Sequence, residues 1–271
     1  MADETPEIEY ADATKVRVLE TNILHVNDVV YWLDGSSAED PLTMNRVAHP
    51  LMVNFTARPR DVTVLHKPGK MAVWRRPTGD MVEGIATEEQ KQRPAIPVFD
   101  IAGEVRDPRG RFNPALFDVS LGDGDGAAVL LYPTPLGTSL SPLGGVTSTL
   151  RFQSNGNPVV WALLELEVTI SVAETQVYHA QADRNGDFAI ALNRLPPLPE
   201  SVIEYDAVLR ITAIDTALAD ATPDTTTFVS QEIEAADTEN AFSIDFALVV
   251  RPGDVRRINS FDKNHLAVQP A

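Results

Sequence analysis

Ala162-Leu163-Leu164-Glu165-Leu166-Glu167-Val168-Thr169-Ile170 decides the fold class. Positions 162, 164, 166, 168 and 170 are apolar, while 165, 167 and 169 are polar. A period of two marks a strand with one buried face, because successive side chains point to opposite sides of a sheet. Phe242-Ser243-Ile244-Asp245-Phe246-Ala247-Leu248 repeats the pattern, and so does Leu209-Arg210-Ile211-Thr212-Ala213. Phe188, Ile190 and Leu192 alternate with smaller or polar neighbours.

Working outward, short β-rich runs occupy 51–57, 61–66 and 71–75, punctuated by Pro59, Pro68-Gly69 and Pro77. The chain carries 20 prolines and 15 glycines, and no segment sustains a 3.6-residue apolar stripe. An all-β chain of many short strands is the natural reading. The expected organisation is an acidic tail over 1–14, an N-terminal β-rich module over 15–95, a β-sandwich over 96–250 and a C-terminal tail over 251–271. A polar stretch over 78–97 reads as a linker or a long loop with room for one helical turn, and 121–150 as a long loop inserted in the sandwich.

Composition narrows the function classes. Of 271 residues 44% are hydrophobic, enough for a packed core. A formal net charge of −17 repels nucleic acid and anionic lipid, so neither is an expected partner. The absence of cysteine excludes disulfides, thiolate zinc sites and cysteine nucleophiles. The acidic start Met1-Ala2-Asp3-Glu4 lacks the features of a signal peptide, and no run of 18 apolar residues spans a membrane. The expectation is cytoplasmic synthesis, with release inside a particle as the alternative.

Two stretches share the pattern D-x-x-G-x-F: Asp107-Pro108-Arg109-Gly110-Arg111-Phe112 and Asp183-Arg184-Asn185-Gly186-Asp187-Phe188. The aspartate caps a turn, the glycine supplies positive φ, and the aromatic enters the next strand facing the core. Either a duplicated module or two independent turns of a common type accounts for the pair.

Asn155-Gly156-Asn157-Pro158-Val159-Val160-Trp161-Ala162, taken with Ala182-Asp183-Arg184-Asn185-Gly186-Asp187-Phe188, resembles the carboxypeptidase regulatory-like, or transthyretin-like, β-sandwich domain. That family opens on G-x-P-V-x-x-A and closes a later hairpin with T-D-x-x-G-x-F; here Ala182 replaces the threonine. A strand of the same opening style, Asp100-Ile101-Ala102-Gly103-Glu104-Val105-Arg106-Asp107, lies upstream. The resemblance spans about 98–215 and implies an Ig-like sandwich that folds, spaces or docks and has no active site of its own. The stretch between Leu121 and Leu150 departs from the family and leaves strand order open.

Chemistry is sparse. His25, His49, His66, His179 and His265 show no tight metal spacing. No G-x-S-x-G elbow or P-loop occurs. Asp183–Asp187 starts like a calcium loop, but Phe188 and Arg194 occupy the positions that require Gly and Glu. Gly122-Asp123-Gly124-Asp125-Gly126 reads as a flexible hairpin tip. Glu165 and Glu167 are spaced about 6.6–7 Å apart by strand rise, which would suit a glycosidase pair, but solvated carboxylates on an outward face are the ordinary explanation. No catalytic residue, metal or cofactor is therefore expected.

Charge is uneven. Arg58, Arg60, Lys67, Lys70, Arg75 and Arg76 face a single acid, Asp61, in the 58–76 stretch; from 200 to 246 eleven acids face one base, Arg210. Trp74 beside Arg75 and Arg76 has the composition of an interface anchor. The expected function is a non-catalytic structural or adaptor protein that docks with other proteins or further copies of itself in a larger assembly. Phage tails and contractile injection particles use modules of this style. The competing readings are a carbohydrate- or peptide-binding module using loops 121–128 and 133–146, and a hydrolase whose site converges only in three dimensions.

Overall fold

The computed structural model describes residues 28–75, 98–122, 124–140, 142, 144–200 and 202–271. The expected acidic tail, the 78–97 linker, Arg76 and Asp123 lie outside them. The described residues form strands, one 3-10 turn at Thr225–Thr227, and irregular connections. The protein is all-β, organised as a β-sandwich. Among the described residues no helix is long and apolar enough to cross a membrane.

The first unit contains β1 (Asp28–Asp34), β2 (Met52–Ala57), β3 (Val62–Lys67), β4 (Lys70–Arg75), β5 (Phe99–Arg106), β6 (Ala115–Leu121) and β7 (Ala127–Leu131). They form two sheets, ordered β3-β4-β1-β7 and β2-β5-β6. Val30, Trp32, Met71 and Val73 from one sheet share a core with Ile101, Val105, Phe117 and Leu121 from the other. The β3–β4 hairpin turns on Pro68-Gly69, with Gly69 at φ +75° as a two-residue turn closing Lys67 onto Lys70 requires.

The second unit contains β8 (Gly145–Phe152), β9 (Leu163–Ser171), β10 (Glu174–Gln181), β11 (Asp187–Ala191), β12 (Tyr205–Ala213), β13 (Val229–Glu234), β14 (Phe242–Ser243), β15 (Phe246–Val250), β16 (Val255–Arg257) and β17 (Leu266–Pro270). One sheet runs β10-β9-β12-β13-β17-β8-β11, with β14 on β13, β15 on β12 and β16 on β8. The sheet curls until its edge strands β10 and β11 meet at the Asp183 turn. Leu164, Leu166 and Val168 of β9 point into this curl with Leu150, Tyr178, Phe188 and Leu209. Burial of each large apolar side chain contributes about 1.5–3 kcal/mol.

Four expectations are corrected. The first unit does not end at 95: β5 pairs with β2 and β7 with β1, so both complete its core and the division falls in the 132–144 connection. The 121–150 stretch is not one loop, since it supplies β7 and most of β8. Residues 251–271 are not a tail, because β17 lies between β13 and β8 and buries Leu266, Ala267 and Val268 completely. The strands on either side of Gly122–Gly126 form no hairpin, since β6 and β7 belong to different sheets of the first unit.

Candidate docking site

The pleat places Thr63, Leu65 and Lys67 of β3 on one face. Their partners across the ladder are Trp74, Ala72 and Lys70 of β4, which therefore share that face. It is the outward one, since Met71 and Val73 point into the core. Leu65 is 54% exposed, Lys67 is exposed, and Lys70 and Trp74 are half-buried. Among the described strands β3 is also an edge. An apolar side chain, a tryptophan and two lysines thus share one outward surface at a sheet edge.

The remaining bases do not all join them. Arg58 and Arg60 are exposed in the connection leading into β3. The Arg58 guanidinium sits 4.9 Å from the Phe55 ring centroid. Arg75 lies on the inward register, and its Nε donates to Asp61 Oδ2 at 2.6 Å. The bond from Arg75 holds the Asp61 carboxyl below its ordinary pKa. The single acid of the basic stretch is thus bound to one of its arginines. Leu65 was missed in the sequence because its neighbours did not single it out; only the ladder register does so.

The acidic 200–246 stretch is spread over the second unit. Its base, Arg210, is held on the outward face of β12: Nη1 donates to Glu167 Oε2 at 2.8 Å and Glu165 Oε1 at 3.2 Å, and Nε to Asp245 Oδ1 at 2.7 Å. The two carboxylates that might have formed a hydrolytic pair are therefore bridged by one guanidinium. Contact from the first unit to this stretch is made by Arg106, whose Nη2 donates to Thr222 Oγ1 at 3.3 Å, and Arg106 is not part of the basic 58–76 stretch.

The two D-x-x-G-x-F turns lie on opposite banks of one groove of about 650 Å³ between the units. Asp107 accepts from the backbone N–H groups of Arg109, Arg111 and Phe112, and its Oδ2 lies 3.1 Å from His49 Nε2. Burial pushes the Asp107 pKa up, but these bonds outweigh it and leave the carboxyl below its ordinary value. Asp183 accepts from the N–H groups of Asn185 and Asp187. Gly110 and Gly186 have φ of +65° and +79°. Phe112 packs against the first core and Phe188 enters the second. The strands around them differ: β5 pairs with β6, whereas β10 and β11 are the two ends of the curled sheet. The same turn chemistry serves two different topologies, so the pair marks no repeated module.

Two further residues line this groove, Asn113 and Trp161, and only the first bonds across it. Asn113 is buried, and its Nδ2 donates to Gln181 O and Ala182 O at 3.1 and 3.2 Å. Trp161 has φ +62°, a conformation rare for a bulky side chain. Three bonds fix it: its N–H donates to Asp183 O, its indole N–H to Leu218 O, and its own carbonyl accepts from Gln181 Nε2. Val160-Trp161 is accordingly a turn, and the opening strand expected after Pro158 is reduced to a bridge with Arg151.

A larger cleft of about 740 Å³ opens along the same junction, between β6, β7 and the loop at 223–226. Phe117, Val129, Leu130 and Leu163 give it apolar walls, and Tyr132 and Gln181 add polar groups. Its dimensions and position between two units suit a binding cleft. No protein-family model, curated protein or solved structure matches the chain.

Proposed function

We propose that this protein is a non-catalytic structural or adaptor protein that docks acidic protein surfaces, including those of further copies of itself, through the outward face of β3 and β4. The observation that carries this reading is the shared register of Leu65, Lys67, Lys70 and Trp74 on one outward face, with Leu65 and Lys67 exposed on the strand that ends the described sheet. Aromatic and apolar anchors flanked by cations are the composition of docking hot spots. In a chain of net charge −17, a cationic face favours acidic surface over the rest of its own kind. The acidic 200–246 stretch of another copy is one such surface, and contact of unlike patches between copies is head-to-tail. The resemblance to the carboxypeptidase regulatory-like sandwich supports this role, and by analogy of fold style so does the use of such modules in phage-tail-like or contractile particles.

The test is sedimentation velocity and partner capture over a salt series, comparing wild type with Leu65→Glu combined with Lys67→Glu. Both positions are exposed, so the variant should keep the β-type circular dichroism spectrum. The expected result is weaker association in the variant, and weakening of the wild type toward 0.5 M salt, where the Debye length is about 4 Å. Identical behaviour of the two proteins at every salt concentration would remove this face from consideration.

A further inference from the structure

β6 and β7 follow one another in the chain yet belong to different sheets, β6 paired with β5 and β7 with β1. At one end β6 stops at Leu121 and β7 starts at Ala127. At the other end the backbone bonds Asn113 N–H to Tyr132 O and Thr134 N–H to Arg111 O tie the chain together. Between these ends, each strand has one edge that pairs with no other described strand. Along such an edge alternate residues direct N–H and C=O away from the sheet, which makes it a template for another strand. The 740 Å³ cleft opens along this flank.

Its lining decides what would fit. Leu116 is 47% exposed, and Ala128, exposed as well, lines the same cleft. The charged residues among the described lining are Asp118 and Asp224, with no lysine, arginine or histidine. Asp224 spends one carboxylate oxygen on Thr226, which leaves Asp118, exposed on β6, as the freer charge. Unpaired backbone favours an extended chain, the apolar wall favours alternate apolar side chains, and carboxylates without a counter-base favour cations.

We propose that the flank between β6 and β7 is a strand-addition site for an extended segment of a partner protein in which apolar and basic side chains alternate. This site is separate from the basic face of β3 and β4 and opposite to it in charge.

The probe is a fluorescently labelled synthetic peptide alternating lysine and valine, titrated by anisotropy against the full chain. Its comparators are a glutamate–valine counterpart and a lysine–valine peptide with alternate backbone amides methylated. The expected result is micromolar binding of the lysine peptide and about tenfold or greater weakening by Asp118→Lys. Neither comparator should bind, and Leu65→Glu, on the other face, should leave binding unchanged. Equal binding of the lysine and glutamate peptides, no effect of amide methylation, or no effect of Asp118→Lys in a folded variant would overturn the proposal. If Asp118→Lys does not fold, the three peptides on the wild type decide the matter alone. Self-association of the wild type that Asp118→Lys abolishes would give the flank to a second copy and overturn its assignment to a separate partner. Failure here leaves the Leu65 and Lys67 test intact, since the two surfaces share no residue.

Discussion

Gly110 and Gly186 occupy the same place in the same motif but stand in different surroundings. Both have positive φ, where an added Cβ costs about 1–2 kcal/mol. At Gly110 that Cβ meets nothing within 4 Å, whereas at Gly186 it lies 2.6 Å from Leu150 O and 3.2 Å from Val159 N. Gly110→Ala should therefore cost about 1 kcal/mol and Gly186→Ala clearly more, the difference being the displaced β8 backbone. Urea unfolding of both variants measures it, and equal costs would show that β8 yields freely. Phe188→Ala, two residues on, should cost about 3–5 kcal/mol, because its ring is 1% exposed in the second core. The aspartate of the first turn adds a pH dependence. Its folded pKa lies below its ordinary value of 3.8, so Asp107 contributes stability above that value and loses it as pH falls through the folded pKa. Asp107→Asn should flatten the acid side of the stability profile, as followed by melting temperature between about pH 5 and pH 2.

The strands vary in how plainly the sequence announces them. β9 is written in strict alternation because one of its faces meets the core and the other meets Arg210 and solvent. Phe242–Leu248 alternates as well, yet it breaks at Ile244-Asp245 into β14 and β15. The reason is that the chain there leaves β13 and joins β12, a change of partner that side-chain period does not encode. β7 escaped notice because Ala127-Ala128-Val129-Leu130-Leu131 lacks alternation and follows a glycine-rich turn. β17 escaped because Leu266-Ala267-Val268 is short and terminal, although it is flanked on both sides by other strands. The docking face was half legible: the bases and Trp74 stand out in the sequence, but only the β3–β4 register separates outward Lys67 and Lys70 from inward Arg75. The position of β17 carries its own prediction. Glu234, its side chain fully buried, binds Lys263 Nζ and the Asn240 N–H. Ser260 Oγ donates to Glu234 O and accepts from Ala267 N–H, tying β13 to β17. A chain ending at residue 263 should lose the second core's cooperative unfolding transition, while Ser260→Ala should cost about 1–3 kcal/mol through the orphaned Ala267 N–H and Glu234 carbonyl. Retention of a sharp transition by the shortened chain would mean that β17 adds to the sheet without completing it.

Two cores in one chain need not unfold together, and what couples them here is a small set of contacts at their junction. Asn113 reaches from the first unit to the Gln181 and Ala182 carbonyls, and Arg106 reaches Thr222. The Asn113 bonds are buried, so their loss leaves carbonyls without partners in a place water reaches poorly, at a cost of about 1–3 kcal/mol. The Arg106 bond is exposed and should contribute far less. The expectation is that Asn113→Ala, alone or with Arg106→Ala, removes much of the coupling while leaving both cores intact. Wild-type protein should then unfold in one transition, and the double variant in two. Trp32, 2% exposed in the first core, reports that unit by fluorescence once Trp74 and Trp161 are replaced by phenylalanine in both backgrounds. Far-UV circular dichroism reports mainly the larger second sheet. Coincident denaturant midpoints by the two probes in the wild-type background, separating in the Asn113→Ala background, would establish the junction as the link between units. Coincident midpoints in both backgrounds would show that the cores are coupled by the packing of the cleft walls, to which Leu163 of one unit and Leu130 and Tyr132 of the other contribute, and that the buried amide is a local fixture.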